Sequence, residues 1–319
     1  MDVVGIGLAN IDLVSHVGDN FLKSHRIVKG KAQKLDELSF ARLRADLNQF
    51  DAIPGGCAAN TLCGMAAVGI PTVFYGKIGG DSFESLYRAS FTEYSVRFGV
   101  AAAPQESSQC AVLVTPDGER SFAFTDGASW DLGPGDIDEE IVKNAAMIYC
   151  EIYMLDFAEG LAKKVIDCAE KHKIPMVMKM NDQDFAVRHA QKIRALADAG
   201  ILSLLVGNNF NMPSLTKTFG TDETVEAFRT WPCDVLITAG PGGAYYIAGG
   251  EAVHYSVQVV QKPKNTTGAG DQFLAGFLTG RLDGKPVRDC IDHAASCART
   301  ILMHDTPRPP LVNRHSIRF

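Results

Sequence analysis

Asn265-Thr266-Thr267-Gly268-Ala269-Gly270-Asp271, running on into Gln272-Phe273-Leu274-Ala275-Gly276, is the stretch on which the reading of this 319-residue chain turns. Two glycines and an alanine leave no bulky side chain between Thr267 and Asp271. Phe273, Phe277 and Leu278 then recur at helical spacing as far as Leu282. The pattern predicts a small-residue turn that opens a helix at Gly268-Ala269-Gly270. The first amides of a helix lack internal partners and stand at its positive end, so such a turn is a ready anion site. Asp271 would stand beside it. A carboxylate next to a bound anion is repelled unless it has a task, such as taking a proton from an attacking hydroxyl. Amides for a developing negative charge plus a carboxylate base describe phosphoryl transfer to an alcohol. The plain alternative is a helix start with an ordinary acidic residue in its first turn.

Length and a 46% hydrophobic composition suit one large α/β domain or two smaller ones. A net charge of −6 and the absence of a basic run argue against nucleic acid as a partner. Cysteines stand at 57, 63, 110, 150, 168, 233, 290 and 297, none in a Cys-x-x-Cys pair, and so read as buried thiols in a reducing compartment. Met1-Asp2-Val3-Val4-Gly5 reads as a strand and not a signal peptide, and no apolar run is long enough to span a bilayer. The expected address is the cytoplasm.

Working back from the central stretch, Asp2 to Leu8 reads as a buried parallel strand ending in Gly7-Leu8-Ala9-Asn10-Ile11-Asp12. Ligands of open α/β sheets bind outside the carboxyl ends of the strands. Asn10 and Asp12, two apart and on one side of an extended chain, suit contacts to sugar hydroxyls, or else a turn. Asp36 to Phe50 has the period of an amphipathic helix (Leu38, Leu43, Leu47). In Pro54-Gly55-Gly56-Cys57-Ala58-Ala59-Asn60 a glycine pair ends a loop and a small-residue helix carries Asn60 toward a ligand; close helix–sheet packing explains the same residues. A strand is expected over Thr72 to Tyr75, then Lys77 as a phosphate contact or, more simply, in solvent, then Asp81 or Ser82 capping a helix. Ser108 to Thr125 is a hairpin around Pro116-Asp117-Gly118-Glu119.

From Met147 strand and helix alternate. Strands are expected at 147–150, 175–180, 202–206 and 234–238, and helices near 158–172, 184–198 and 221–230, with His189 on the surface. This predicts a mainly parallel sheet covered on both faces. Gly207-Asn208-Asn209-Phe210-Asn211 and Thr238-Ala239-Gly240-Pro241-Gly242-Gly243 follow strands and belong to the ligand edge. A hairpin around Gly249-Gly250 and a last helix over Val287 to Met303 complete the chain.

Thr-Thr-Gly-Ala-Gly-Asp-x-Phe-x-x-Gly resembles the C-terminal signature of the PfkB, or ribokinase-like, carbohydrate kinases. Gly-Gly-x-x-x-Asn at 55–60, Asn-x-Asp at 10–12 and Thr-x-Gly-x-x-Gly at 238–243 are similar to other words of that family. The Asp182-to-His189 words and Glu151-x-Tyr153 look like its bacterial adenosine kinase-like members. The resemblance spans nearly the whole chain. It implies a single ribokinase-like domain over 1–319, with a discontinuous β lid from about 13–35 and 105–127. It implies ATP, Mg²⁺ and a sugar or nucleoside as ligands, in a monomer or homodimer. It gives Asn10, Asp12, Gly55, Gly56 and Asn60 to the acceptor. It gives Asn208, Thr238, Gly240, Gly243, Thr267, His293 and Ala294 to the nucleotide, and Asp271 with Gly268, Ala269 and Gly270 to catalysis. The family has Glu where this chain has Asn211 and Asp where it has Asn265. These two amides are therefore left as weak metal contacts through water, and potassium activation, possible in the family, is disfavoured here. The two missing carboxylates also motivate a second reading, a sugar- or nucleoside-binding protein with feeble catalysis. No Walker lysine motif and no complete Gly-x-Gly-x-x-Gly is present, which disfavours P-loop kinases and dinucleotide dehydrogenases.

Overall fold

Val3 and Val4 are both fully buried, one against each of two separate apolar clusters, so the first strand is covered on both faces. That strand, β1 (Val3–Ile6), belongs to a computed structural model that describes residues 1–311. The chain leaves β1 for β2 (Asn10–His16), α1 (Asp19–Ser24), β3 (Ala32–Lys34), α2 (Glu37–Asp46) and β4 (Asp51–Gly55). It returns through α3 (Cys57–Ala67), β5 (Thr72–Tyr75) and α4 (Glu84–Tyr94), then makes the hairpin of β6 (Ser108–Val114) and β7 (Arg120–Thr125). α5 (Glu139–Lys143), β8 (Met147–Glu151), α6 (Leu161–His172), β9 (Met176–Lys179), α7 (Gln183–Asp198) and β10 (Leu202–Asn208) alternate. So do α8 (Met212–Thr216), α9 (Thr221–Phe228) and β11 (Asp234–Thr238). β12 (Ala244–Ala248), β13 (Glu251–Tyr255), α10 (Ala269–Leu282) and α11 (Val287–Leu302) follow.

The strands form two sheets. The eight-stranded sheet runs β13-β12-β11-β10-β9-β8-β1-β5. It is parallel from β5 to β11 and antiparallel at β12 and β13. One face packs Val3, Tyr149 and Val177 against Leu62 of α3, Phe91 of α4 and Leu274 and Phe277 of α10. The other packs Val4, Ile148 and Met178 against Val165 of α6 and Ile193 of α7. This is the expected α/β class, a mainly parallel sheet with helices on both faces. The five-stranded sheet, order β3-β7-β6-β2-β4, stands apart from it and is entered directly from the end of β1.

Several local expectations are corrected. Gly55 is the last residue of β4, paired with Asn10, and not part of a loop. Leu38 is 63% exposed, and the buried face of α2 is Phe40 and Leu43, continued by Leu47. Leu38 and Leu43 are five apart and cannot share a helix face, whereas 40, 43 and 47 can. Neither Asp81 nor Ser82 caps α4, whose N-cap is Phe83. Asp81 instead accepts from the Phe83 amide at 2.9 Å and the Ser107 amide at 2.7 Å. His189 is largely buried, paired with Asp156 at 2.8 Å. No helix among the described residues is long and apolar enough to cross a membrane.

Candidate active site

Gly268 is the N-cap of α10 at φ +81°, a left-handed conformation open to glycine, and a Cβ there would lie 2.5 Å from the Pro307 carbonyl oxygen. The turn delivers Asp271 into the first turn of α10, almost wholly buried. Its Oδ2 accepts from Asn60 Nδ2 of α3 at 3.0 Å, and its backbone carbonyl accepts from the Thr61 hydroxyl at 3.3 Å. Its Oδ1 accepts from the Lys179 ammonium, which arrives from the last residue of β9. Burial pulls that ammonium down, but Asp271 and the other acidic neighbours outweigh it, and Lys179 is held well above the ordinary lysine value. One of the three expected anion-hole amides has a partner. Ala269 N–H donates to the Thr266 carbonyl, though at 3.3 Å.

The acceptor candidates lie where β1 passes into the smaller sheet. Asn10 Nδ2 donates to Asp12 Oδ1 at 2.6 Å. Burial pushes the Asp12 carboxyl up to about 7, against the pull of that hydrogen bond. Gly55 faces Asp12, with room for a Cβ only 2.8 Å from Asp12 Oδ2. Gly56 has φ +100° and lies against the Leu8 carbonyl, so it does not accept a side chain, whereas at Gly55 the Asp12 carboxylate would have to move aside. Asn60 differs from expectation. It is buried, and both ends of its amide are engaged inside the protein: Nδ2 on Asp271 and Oδ1 accepting from Arg308 Nε at 3.1 Å. In this arrangement it holds Asp271 in place.

The nucleotide candidates line the far end of the same edge. Asn208 Oδ1 accepts from the amides of Phe210 and Asn211 at 2.9 and 2.8 Å, fixing the loop after β10. Asn211 Nδ2 donates to the Met180 carbonyl at 3.2 Å. Thr238 closes β11, and its hydroxyl reaches the Gly207 carbonyl at 3.4 Å. Gly240 and Gly243 bound the turn that follows. A cavity of about 180 Å³ opens among Lys179, Asn181, Asn208, Asn211, Thr238 and Gly270.

Three expected residues are placed otherwise. Ala294 is fully buried where α11 crosses α10, its Cα 2.8 Å from where a Gly276 Cβ would be, so it packs helix on helix and meets no base. Its neighbour His293 is half-buried beside Cys297 at 3.6 Å, and burial lowers its pKa. Asn265 is engaged on all sides. Its Oδ1 accepts from the Thr267 amide at 2.8 Å and from Arg120 at 2.6 Å, and its Nδ2 donates to the Asp305 carbonyl at 2.9 Å. An aspartate lacks that donor, which gives Asn265 a structural reason. Thr267 Oγ1 also accepts from Arg120, at 2.6 Å. Lys77, expected in solvent, is 17% exposed and paired with Asp136 at 2.7 Å.

The sequence pattern of the family described as pfkB family carbohydrate kinase matches residues 28–312. The chain belongs to the pfkB carbohydrate kinase family. Among its curated relatives, a ribokinase of Arabidopsis thaliana is 24% identical over 276 residues, covering 83% of this chain and 71% of the relative. A ribokinase of Bacillus subtilis is 26% identical over 259 residues, covering 78% and 81%. The adenosine kinase structure from Sinorhizobium meliloti superposes with a TM-score of 0.89 at 26% identity, over 98% of this chain and 97% of that one. A probable sugar kinase from Rhizobium etli superposes at 0.87 with 27% identity, over 97% and 94%. The chain is thus an ATP-dependent kinase of the sugar and nucleoside class, with ribokinase, adenosine kinase and fructokinase relatives.

Four residues around this candidate site were missed in the sequence. Lys179 and Glu151 end neighbouring strands and pair in register. Each is a single charge closing an apolar run, Met176-Val177-Met178 and Met147-Ile148-Tyr149-Cys150, and that was a usable signal for a residue at the ligand edge. Glu151 accepts from the Ala58 amide at 2.6 Å at the start of α3. Arg120 of β7 and the buried Arg308 of the tail reach the site across 145 and 248 residues of chain, and nothing local announces either.

Proposed function

We propose that this pfkB kinase transfers the γ-phosphoryl group of ATP to a primary hydroxyl of a ribose- or adenosine-like acceptor. Asp271 acts as general base and the 268–270 turn as the anion hole. The observation that carries the reading is the position of Asp271. It stands in the first turn of α10, held through Asn60, with Asn10 and Asp12 on one side and the loops after β10 and β11 on the other. A hydroxyl entering from the Asn10 side meets the carboxylate, and a phosphoryl group entering from the cavity meets the helix start. The five-stranded sheet serves as the lid over the acceptor, excluding water that would compete for the phosphoryl group.

Magnesium fits this edge as a passenger of the phosphates. The amide oxygens of Asn181 and Asn211 at the cavity are neutral, and the nearby carboxylate Asp271 is already paired with Lys179. Such a donor set suits an ion that keeps most of its waters, with Asn211 holding one of them. Bound there, magnesium supplies charge neutralisation to the phosphates. The second reading, a binding protein with feeble catalysis, has Asn211 in its favour. It loses the support of Asn265, whose amide is explained by its hydrogen bonds.

The test is ADP release by the purified protein with ATP and Mg²⁺ across ribose, other pentoses and hexoses, adenosine, inosine and guanosine, with and without K⁺. The proposal expects turnover on a ribose-bearing acceptor and little effect of K⁺. ATP binding without turnover on any of them would favour the second reading.

A further inference from the structure

We infer that Lys179 is a further catalytic residue of this kinase, its ammonium binding the γ-phosphoryl oxygens while Asp271 takes the proton of the acceptor hydroxyl. The inference deepens the reading of the 265–271 turn and rests on it.

Position is the first argument. In the large sheet β9 lies between β8, which ends in Glu151 and neighbours the β1 strand that leads to the acceptor candidates, and β10 and β11, which lead to the nucleotide loops. Lys179 is the last residue of β9, in register with Glu151 on one side and Val206 on the other. A cation there stands on the line along which a phosphoryl group must pass.

The cavity is the second argument. Lys179 is the charged side chain among the described residues that line it; the rest are amides, a hydroxyl, backbone and apolar groups. Asn181, in the same wall, has both atoms of its side-chain amide buried without a hydrogen-bond partner. A buried amide left unpaired on both sides is unfavourable unless a polar occupant completes it. An ammonium beside neutral donors selects an occupant with anionic oxygens. Lysine offers three N–H donors and Asp271 takes one, so two remain for such oxygens.

In the step itself, the acceptor oxygen forms a bond to the γ-phosphorus, and the bond from that phosphorus to the β–γ bridging oxygen breaks. The electron pair leaves on ADP and the hydroxyl proton passes to Asp271. Lys179 transfers no proton. It neutralises charge on the equatorial oxygens, and its raised pKa keeps it charged throughout the working pH range. The loss of a family carboxylate at Asn211 fits the same picture, since a fixed ammonium assumes part of the charge neutralisation otherwise left to metal ions.

The test compares affinities for ADP and for the non-hydrolysable β,γ-imido analogue of ATP, each with Mg²⁺, by calorimetry. Wild-type protein is expected to prefer the analogue. Lys179→Gln and Lys179→Met should bind ADP as wild type does but lose roughly tenfold or more on the analogue, with kcat down roughly 10²–10³-fold. Lys179→Arg should restore part of the preference. If Lys179 only neutralises the buried Asp271, the variants will melt lower with an unchanged preference for the analogue, and the inference is overturned. Lys179→Met with Asp271→Asn removes both charges together and guards against a variant that fails to fold; it too should lose the preference. Asp271→Asn alone should keep the preference while losing turnover. If it kept turnover, the base assignment would fall while the titration still decided Lys179. A wild-type protein that bound neither nucleotide would overturn the inference outright.

Discussion

Replacing Glu151 by glutamine should make the protein more stable at alkaline pH than at acid pH, relative to wild type. Glu151 is 1% exposed, and burial lifts its carboxyl from 4.5 to about 7. The Ala58 amide and Lys179 pull the other way and reduce the rise without cancelling it. The folded protein therefore holds a proton on Glu151 over a range in which the unfolded chain has released it. Stability falls as pH rises through that range, because ionising the buried carboxyl is harder in the folded state. Below 4.5 both states are protonated and the penalty vanishes; above 7 it is complete. From about pH 5 to about pH 8 the loss integrates to about 2 kcal/mol. Glutamine keeps an oxygen to accept from Ala58 at the start of α3 but cannot ionise. Urea unfolding of both proteins near pH 5 and near pH 8 measures it. The difference in unfolding free energy should move by about 2 kcal/mol in favour of Glu151→Gln at the higher pH. A difference that stays constant with pH would show that Glu151 is ionised throughout, with Lys179 serving it as well as Asp271.

Three other outcomes follow from the geometry. Gly268→Ala forces a left-handed alanine against the Pro307 carbonyl and should lower stability by about 2–4 kcal/mol while cutting turnover; wild-type melting would show that the turn tolerates a Cβ. Asn265→Asp loses the donor to the Asp305 carbonyl and should lower stability by about 1–2 kcal/mol without creating potassium activation, read by melting and by rates in K⁺ and Na⁺. Asn211→Glu adds a carboxylate at the cavity and should lower the Mg²⁺ concentration for half-maximal rate; an unchanged metal titration would remove Asn211 from the metal story.

The parallel sheet and α10 were legible because periodicity and glycine placement are local signals. Thr72–Tyr75 and Asp234–Thr238 fall where the apolar runs placed them, and α10 opens at Ala269, within the Gly268-Ala269-Gly270 turn that small residues allowed. β4 was not legible, because Pro54 and Gly55 look like a loop and become a strand only by pairing with Ile11 and Asn10. Tertiary pairing overrides weak strand propensity there. Asp271, Asn10, Asp12 and Asn60 were visible one by one, whereas Lys179, Glu151, Arg120 and Arg308 and the connections among all of them were not. The engagement of Asn60 with Asp271 and Arg308 joins α3, α10 and the tail across more than 200 residues. A residue whose partners lie that far away carries no pattern in its own neighbourhood, and the same holds for Arg120. Ala294 erred for the opposite reason: small residues in a last helix suit a flat ligand and a crossing helix equally, and α10 took the place.

The central claim is that Asp271 is the base of phosphoryl transfer, and the turnover of Asp271→Asn tests it most directly. The substitution preserves shape and removes the charge; its single amide oxygen can accept from Asn60 or from Lys179, which donate to different oxygens of Asp271, and its NH2 group faces the other. The rate of ADP release on an acceptor turned over by wild type should fall by about 10²–10⁴-fold, with acceptor and nucleotide affinity within a few fold of wild type. A variant that kept most of the wild-type rate would contradict the account.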